Sequence, residues 1–181
     1  MTMTEPGVGT RRRAEADPIG TESPPRLGIS ELVDIVRAVA AEPERWRPRV
    51  HHQIARRFYE RLVTADDHEV WLICWDVGQM TLLHDHGSSS GAYMVVQGSL
   101  LEDHGRAGSG RLLQRRIPRG RARSFGPGYV HNLANAGPGL ATSIHAYTPR
   151  LRTMTYYAVL PGGAVPIRSL PVDCPEPTVA P

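Results

Sequence analysis

At 181 residues, with 40% hydrophobic and 22% charged side chains, the chain suits one domain with modest tails and is too apolar to be disordered throughout. The formal charge is only +3 and all 21 basic residues are arginine, a composition bias rather than the basic face of a nucleic-acid binder. Two cysteines, Cys74 and Cys174, make no disulfide framework. With no apolar leader and no run near the ~20 residues of a membrane span, the expectation is a cytoplasmic protein with neither membrane nor nucleic acid as partner.

Residues 1–28 are rich in Pro, Gly, Thr and charge, lack periodicity and are expected to be disordered, the Arg11–Arg13 run included. Ser30 reads as an N-cap, and Leu32, Ile35, Val36 and Val39 recur at helical spacing before Pro43, predicting a helix over 31–41. A second short helix is expected over 49–57, with His51 and His52 at the surface. From Phe58 the period becomes that of strands. Segments 58–63 and 69–75 read as a hairpin, with Tyr59, Arg61 and Val63 on one face. An arginine among apolar neighbours needs an anionic partner, because burying it alone is costly. The pattern leaves open whether that partner is a ligand or an acidic residue on the rim. Val70 to Trp75 is apolar on both faces, so Cys74 reads as core.

Further strands are expected over 80–86, 92–97, 111–117, 121–125, 129–133, 140–147 and 153–159, with 100–102 short and His104 in a loop. Ser143, His145 and Tyr147 share one face. Short strands with Gly- and Pro-marked turns argue for an all-β sandwich or barrel behind a few N-terminal helices. The expected division is one domain over 29–160 and a Pro-rich tail over 161–181.

Two stretches carry the chemistry. In GQMTLLHDHGSSSGAYMVVQG, extended geometry points His84 and His86 the same way, as one metal ion requires. A second stretch, GRARSFGPGYVHNLAN, supplies His131. The spacing Gly78-x5-His84-x-His86-x4-Gly91-x6-Gly98 resembles the first cupin motif, and Gly120-x5-Gly126-x-Gly128-x2-His131-x3-Asn135 resembles the second. The resemblance implies a double-stranded β-helix, or jelly-roll barrel, with a metal at its centre. Gly126 replaces a proline of the pattern, and Gly91 replaces a glutamate, which leaves three neutral imidazoles. Imidazole suits iron, copper, zinc or nickel, so the ligands alone do not choose the metal.

The order Tyr59-x-Arg61, Cys74-Trp75, His84-Asp85-His86, His131, Ser143-x-His145-x-Tyr147 resembles the cysteine dioxygenase family of thiol dioxygenases over roughly 58–149. That resemblance implies one Fe2+ on His84, His86 and His131, and L-cysteine oxidised by dioxygen to cysteine sulfinate. It implies Arg61 pairing with the substrate carboxylate, Tyr59 shaping that pocket, and Tyr147 as a catalytic hydroxyl beside the iron. His145, also catalytic, and Ser143 support that hydroxyl from behind, with Trp75 packed against them. Animal members carry a cysteine at the position of Gly91, linked to the tyrosine that matches Tyr147. The bacterial type lacks that crosslink, and this chain resembles it. The chain is expected to act as a monomer on a small thiol. The rival readings are a 3-mercaptopropionate dioxygenase, whose members carry glutamine in place of Arg61, a metal-binding cupin module without turnover, and another cupin enzyme such as a zinc or manganese isomerase. Asp85, on the opposite face from its histidine neighbours, reads as a turn or surface residue.

Overall fold

Alternating side chains from Phe58 onward fold into two facing sheets whose strands all pair antiparallel. The computed structural model describes residues 26–173; the expected N-terminal tail through residue 25, Arg11–Arg13 and Cys174 lie outside them. One sheet has five strands: β1 (Phe58–Thr64), β2 (Glu69–Trp75), β4 (Ser90–Gln97), β7 (Ala122–Phe125) and β9 (Ala141–Thr148), in the order β1-β2-β9-β4-β7. The other has six: β3 (His84–Asp85), β5 (Ser99–Arg106), β6 (Leu113–Pro118), β8 (Tyr129–Ala134), β10 (Thr153–Leu160) and β11 (Gly163–Pro171), in the order β11-β10-β3-β8-β5-β6. This is the mostly-β, cupin-like architecture that the motif spacing predicts, with helices at its N-terminal side.

Helix α1 (Ile29–Ala41) explains why β2 is apolar on both faces. Its Leu32, Val36 and Val39 pack on Val70, Leu72, Cys74, Ala92, Ile144 and Ala146, the outer face of the five-stranded sheet. Leu32 and Val36 are fully buried, each contributing about 1.5–3 kcal/mol. The inner face carries Trp75, Tyr93, Val95, Phe125 and Tyr147, which meet Leu100, Ile117 and Leu133 of the second sheet. The functional side chains project into this space between the sheets.

The structure corrects several local expectations. The helix starts at Ile29, with Ser30 inside its first turn, because the Glu31 carboxylate accepts the Gly28 N–H at 2.6 Å. The second helical segment lies earlier than expected. It runs from Pro43 to Trp46 (α2) and continues as a 3-10 turn over Arg47–Arg49. Trp46 is its buried anchor, whereas Ile54 is left exposed and gives the 49–57 stretch nothing to pack. Only His84–Asp85 of the 80–86 stretch is strand, since the Thr81 hydroxyl takes the Leu133 N–H that a ladder partner would have taken. His104 is not in a loop: β5 extends to Arg106, and the His104 ring stacks on Tyr129 at 5.7 Å. The expected tail from Pro161 instead contributes β11, paired along its length with β10. Its position at the sheet edge tolerates Pro166 and Pro171, which lack an N–H to donate.

Candidate metal centre

Strands β3 and β8 are neighbours, and their register sets His84 directly opposite His131. His86 follows one step past β3, before the turn at Gly87, whose N–H is held by the Asp85 carboxylate at 2.9 Å. One ring nitrogen from each of the three histidines lies within 4.8 Å of the others, and all three side chains are buried. No other group of three His, Cys, Asp or Glu among the described residues comes together in this way. Asp85 is itself buried and accepts the Tyr157 hydroxyl at 2.6 Å, so it braces the strand from its far side rather than lying at the surface.

The two opposed histidines are tautomerically fixed. His84 Nδ1 donates to the Leu82 carbonyl at 2.7 Å, and His131 Nδ1 donates to Glu102 Oε1 at 2.8 Å. A neutral ring that donates through Nδ1 presents an unprotonated Nε2. Burial, and then the neighbouring histidines, hold His84 and His86 well below the usual imidazole range, so they are neutral and ready to bind a cation. His86 differs in that its Nδ1 is buried with no hydrogen-bond partner. Its ring is flanked by Phe125 at 4.8 Å and Tyr147 at 5.0 Å. A third buried, neutral imidazole beside two preset Nε2 lone pairs fits a divalent cation of imidazole preference.

Glu102 escaped the sequence reading, although its spacing from Leu100 on β5 marks it as inward-facing. It is fully buried. Its Oε2 accepts Arg115 Nε at 2.7 Å, and its Oε1 accepts both His131 and the Tyr129 hydroxyl, the latter at 3.0 Å. Burial alone would raise this carboxyl, but the His131 and Arg115 hydrogen bonds outweigh it and hold it at about 2. The carboxylate absent from the histidine cluster thus stands one hydrogen bond behind it.

Strand β9 forms the facing wall. Trp75 Nε1 donates to Ser143 Oγ at 2.9 Å, Ser143 Oγ lies 2.8 Å from His145 Nε2, and His145 Nδ1 lies 3.2 Å from the Tyr147 hydroxyl. Burial pushes His145 down to about 3, so it carries a single ring proton. One assignment leaves only the tyrosine proton outside the relay. Ser143 donates to Nε2, Nδ1–H donates to the tyrosine oxygen, and the Tyr147 proton is left to point elsewhere. The reverse orientation would strand the Ser143 proton, which has no other acceptor among the described residues. Burial, and then the charge of Glu69, raises the Tyr147 hydroxyl well above its ordinary value, so it acts as a donor and not as a phenolate.

Tyr59 and Arg61 do not join the histidine cluster. They lie on the edge strand β1, at the rim, with Tyr59 exposed and Arg61 pairing with Glu69, Nε to Oε2 at 3.1 Å. Of the two partners the pattern left open for Arg61, the acidic rim residue is the one present. A different arginine, Arg57, lies closer to the wall. Its guanidinium sits 5.0 Å over the Trp75 ring, Nη1 donates to the Met80 carbonyl at 2.8 Å, and its charge bears on His84, His145 and Tyr147. Sequence spacing gave Arg57 no role because it precedes the strand. Gly91 has a steric reason to be glycine: a Cβ there would stand 2.7 Å from Phe125 Cε2 and 3.0 Å from Tyr147 Cδ1. Phe125 fills the space beside Tyr147.

A sequence model of cysteine dioxygenase type I matches residues 26–159. A comparison with curated proteins finds no match. Among solved structures, TT1209 from Thermus thermophilus is similar at 16% identity with a TM-score of 0.51, covering 57% of this chain and 93% of that one. A protein with a double-stranded β-helix domain from Klebsiella pneumoniae shows 19% identity and a TM-score of 0.48, over 57% of this chain and 85% of that one. A cupin superfamily protein from Desulfitobacterium hafniense shows 10% identity and a TM-score of 0.47, over 57% and 87%. Likeness at such identities concerns fold alone.

Proposed function

The chain belongs to the cysteine dioxygenase type I family of the cupin superfamily, and from that premise we propose that it is an iron(II)-dependent thiol dioxygenase converting L-cysteine and dioxygen to cysteine sulfinate. The observation that carries the proposal is the buried cluster of His84, His86 and His131, three imidazoles with no carboxylate among them. We read these three as the residues that hold one iron per chain. When bound, iron(II) supplies the redox chemistry toward dioxygen and the positive charge that favours a thiolate at neutral pH.

The protein's own side chains do the rest. Arg61 and Tyr59 receive the carboxylate end of the substrate at the rim, where charge-assisted hydrogen bonds orient it. The Tyr147 hydroxyl, held by His145 and Ser143 with its proton directed away from them, donates a hydrogen bond to the reacting end. Trp75 fixes that relay through its indole N–H and shields it from water. Glu102 keeps His131 in the tautomer that offers Nε2. Bringing a thiol and dioxygen together in one walled site replaces a disfavoured encounter in solution. Without a cysteine at position 91, Tyr147 works without the crosslink, and Phe125 restrains it instead. We take the acting unit to be one domain from 29 through β11. No helix among the described residues is long and apolar enough to cross a membrane.

The test is to load the metal-free protein anaerobically with ferrous iron and follow oxygen uptake with L-cysteine, 3-mercaptopropionate and cysteamine in parallel. Uptake with cysteine, and sulfinate as its product, is the expected result. Preference for 3-mercaptopropionate reassigns the substrate, and no uptake with any thiol removes the proposal.

A further inference from the structure

Tyr93 lies in the middle of β4 and is fully buried, yet the proposed reaction gives it no part. Strand register flanks His145 with Trp71 on β2 and Tyr93 on β4. Of these two neighbours, Tyr93 is the one that stacks on the imidazole, with ring centroids 5.2 Å apart and planes inclined by 18°. The same ring stands 6.2 Å from His131, inclined by 46°. It therefore fills the space between the relay on β9 and one corner of the histidine cluster. Its hydroxyl forms no hydrogen bond within the relay. Burial, and then the charge of Glu102, raise that hydroxyl above its ordinary value. What bears on His145 is the ring.

Hydrogen bonds reach His145 at two atoms: Nε2 faces Ser143 Oγ at 2.8 Å, and Nδ1 faces the Tyr147 hydroxyl at 3.2 Å. Two such bonds fix the line through the two nitrogens and leave the ring free to tilt about it. The bond to Tyr147 is the longer, so tilting breaks it first, because an N–H···O contact weakens steeply as it bends. A flat ring stacked on the imidazole face opposes that tilt. The Tyr147 ring is a poorer stop, since it stands 6.2 Å away at 26° and is itself the group being positioned.

We infer that Tyr93 is a positioning residue: its ring holds the His145 imidazole in the plane that keeps Nδ1–H on the Tyr147 hydroxyl. The tyrosine proton is then directed away from β9. The inference rests on the dioxygenase reading only for the use made of Tyr147, because the hold on His145 is present in the metal-free protein.

The experiment compares full-length wild type with Tyr93→Phe, which keeps the ring, and Tyr93→Leu, which removes it. Two quantities are measured. Two-bond 1H–15N correlation spectra of the metal-free, histidine-labelled proteins read the His145 tautomer. Oxygen uptake by the iron-loaded proteins gives kcat and KM for L-cysteine. Wild type should show one tautomer, with the proton on Nδ1, and Tyr93→Phe should keep that tautomer and most of kcat. Tyr93→Leu should show both tautomers, with kcat lower by about tenfold and KM changed by less than about twofold, as for a lost hydrogen bond used in the reaction and not in binding. Tyr93→Met takes its place if Tyr93→Leu does not fold. An unchanged tautomer in the ring-deleted variant overturns the inference, whatever happens to kcat, and leaves the dioxygenase reading intact where wild type takes up oxygen. A mixed tautomer with unchanged kcat, or equal effects in Tyr93→Phe and Tyr93→Leu, also overturns it. A mixed tautomer confined to the ring-deleted variant, with no uptake by any form, upholds the hold on His145 and sinks the dioxygenase reading.

Discussion

His131 and His86 belong to one cluster and are held by opposite physics. On the β5–β8 side, His131 is fixed by a closed ionic network of Glu102, Arg115 and Tyr129. On the β4–β7 side, His86 has no hydrogen bond at Nδ1 and is positioned by the faces of Phe125 and Tyr147. A hydrogen bond to a carboxylate sets which nitrogen is free and raises its basicity. Stacking sets only the plane of the ring. The polar side therefore prepares a ligand before any cation arrives, and the aromatic side leaves the His86 tautomer unset.

The aromatic side should bear more on stability than on affinity. Phe125 is 5% exposed and touches His86, Tyr129 and His131 as well as Tyr147. Phe125→Ala is expected to lower unfolding free energy by about 3–5 kcal/mol, measured by urea titration of the metal-free protein. Metal affinity, compared at a temperature where the variant is folded, should change less than about tenfold. A larger loss of affinity than of stability would show that the stacked ring, and not the network, sets the ligand.

The reverse pattern is expected of Glu102→Gln. The amide still accepts the His131 proton but carries no charge, so metal affinity should fall about 10–100-fold, read by competition with a chromophoric chelator. The accompanying loss of stability should be smaller than for Phe125→Ala, about 1–3 kcal/mol, because Arg115 is partly solvated and can turn to water. Unchanged affinity would mean that Glu102 only packs the strand.

Gly91→Ala probes the seam between the two sides. Its Cβ would press on the Phe125 ring, and overpacking of this kind costs about 1–3 kcal/mol. The effect should not be additive with Phe125→Leu, which opens that space. If the double variant loses the simple sum of the two, the close approach of residue 91 to Phe125 is not what constrains the position.

The contrast also explains what the sequence disclosed. The three histidines and the Ser143-His145-Tyr147 face were legible because strand periodicity and glycine spacing fix which way a side chain points. Glu102 was not, because its meaning depends on β5 lying beside β8, a pairing between segments about thirty residues apart. Phe125 was not, because an aromatic residue reads as core until the absent Cβ at Gly91 shows what it displaces. Arg61 was read as sharing a face with Val63, but a register shift between them breaks the alternation, Val63 packs on the α1 side, and the partner of Arg61, Glu69, sits across the hairpin. The tail after Pro161 misled because its prolines speak against a strand only where both edges are paired. What local geometry dictates could be read, and what depends on distant neighbours could not.

The smallest expected effect concerns acid. His84, His86 and His145 are all held below their ordinary value of 6.5, chiefly by burial, so the folded chain leaves them neutral where the unfolded chain protonates them. Their depressed pKa values cost nothing above about pH 6.5. Stability is lost as pH falls below that value, because the unfolded state then binds more protons. At pH 6 the loss is less than about 1 kcal/mol for each histidine, and it steepens toward about 1.4 kcal/mol per pH unit for each. Glu102 also loses its contribution in acid, but over a different range. Its folded value of about 2 lies below the ordinary 4.5, so its part is present above 4.5 and disappears as pH falls from there toward 2. Between pH 6.5 and 4.5, then, the decline belongs to histidines: these three and the half-buried His52 and His104, which burial also lowers. Urea titrations of the metal-free protein across that window should show a monotonic fall that His145→Gln makes shallower. A flat profile would mean that these rings take up protons in the folded state, and the cluster would not then be the dry, neutral ligand set that the two opposed modes of support are built to hold.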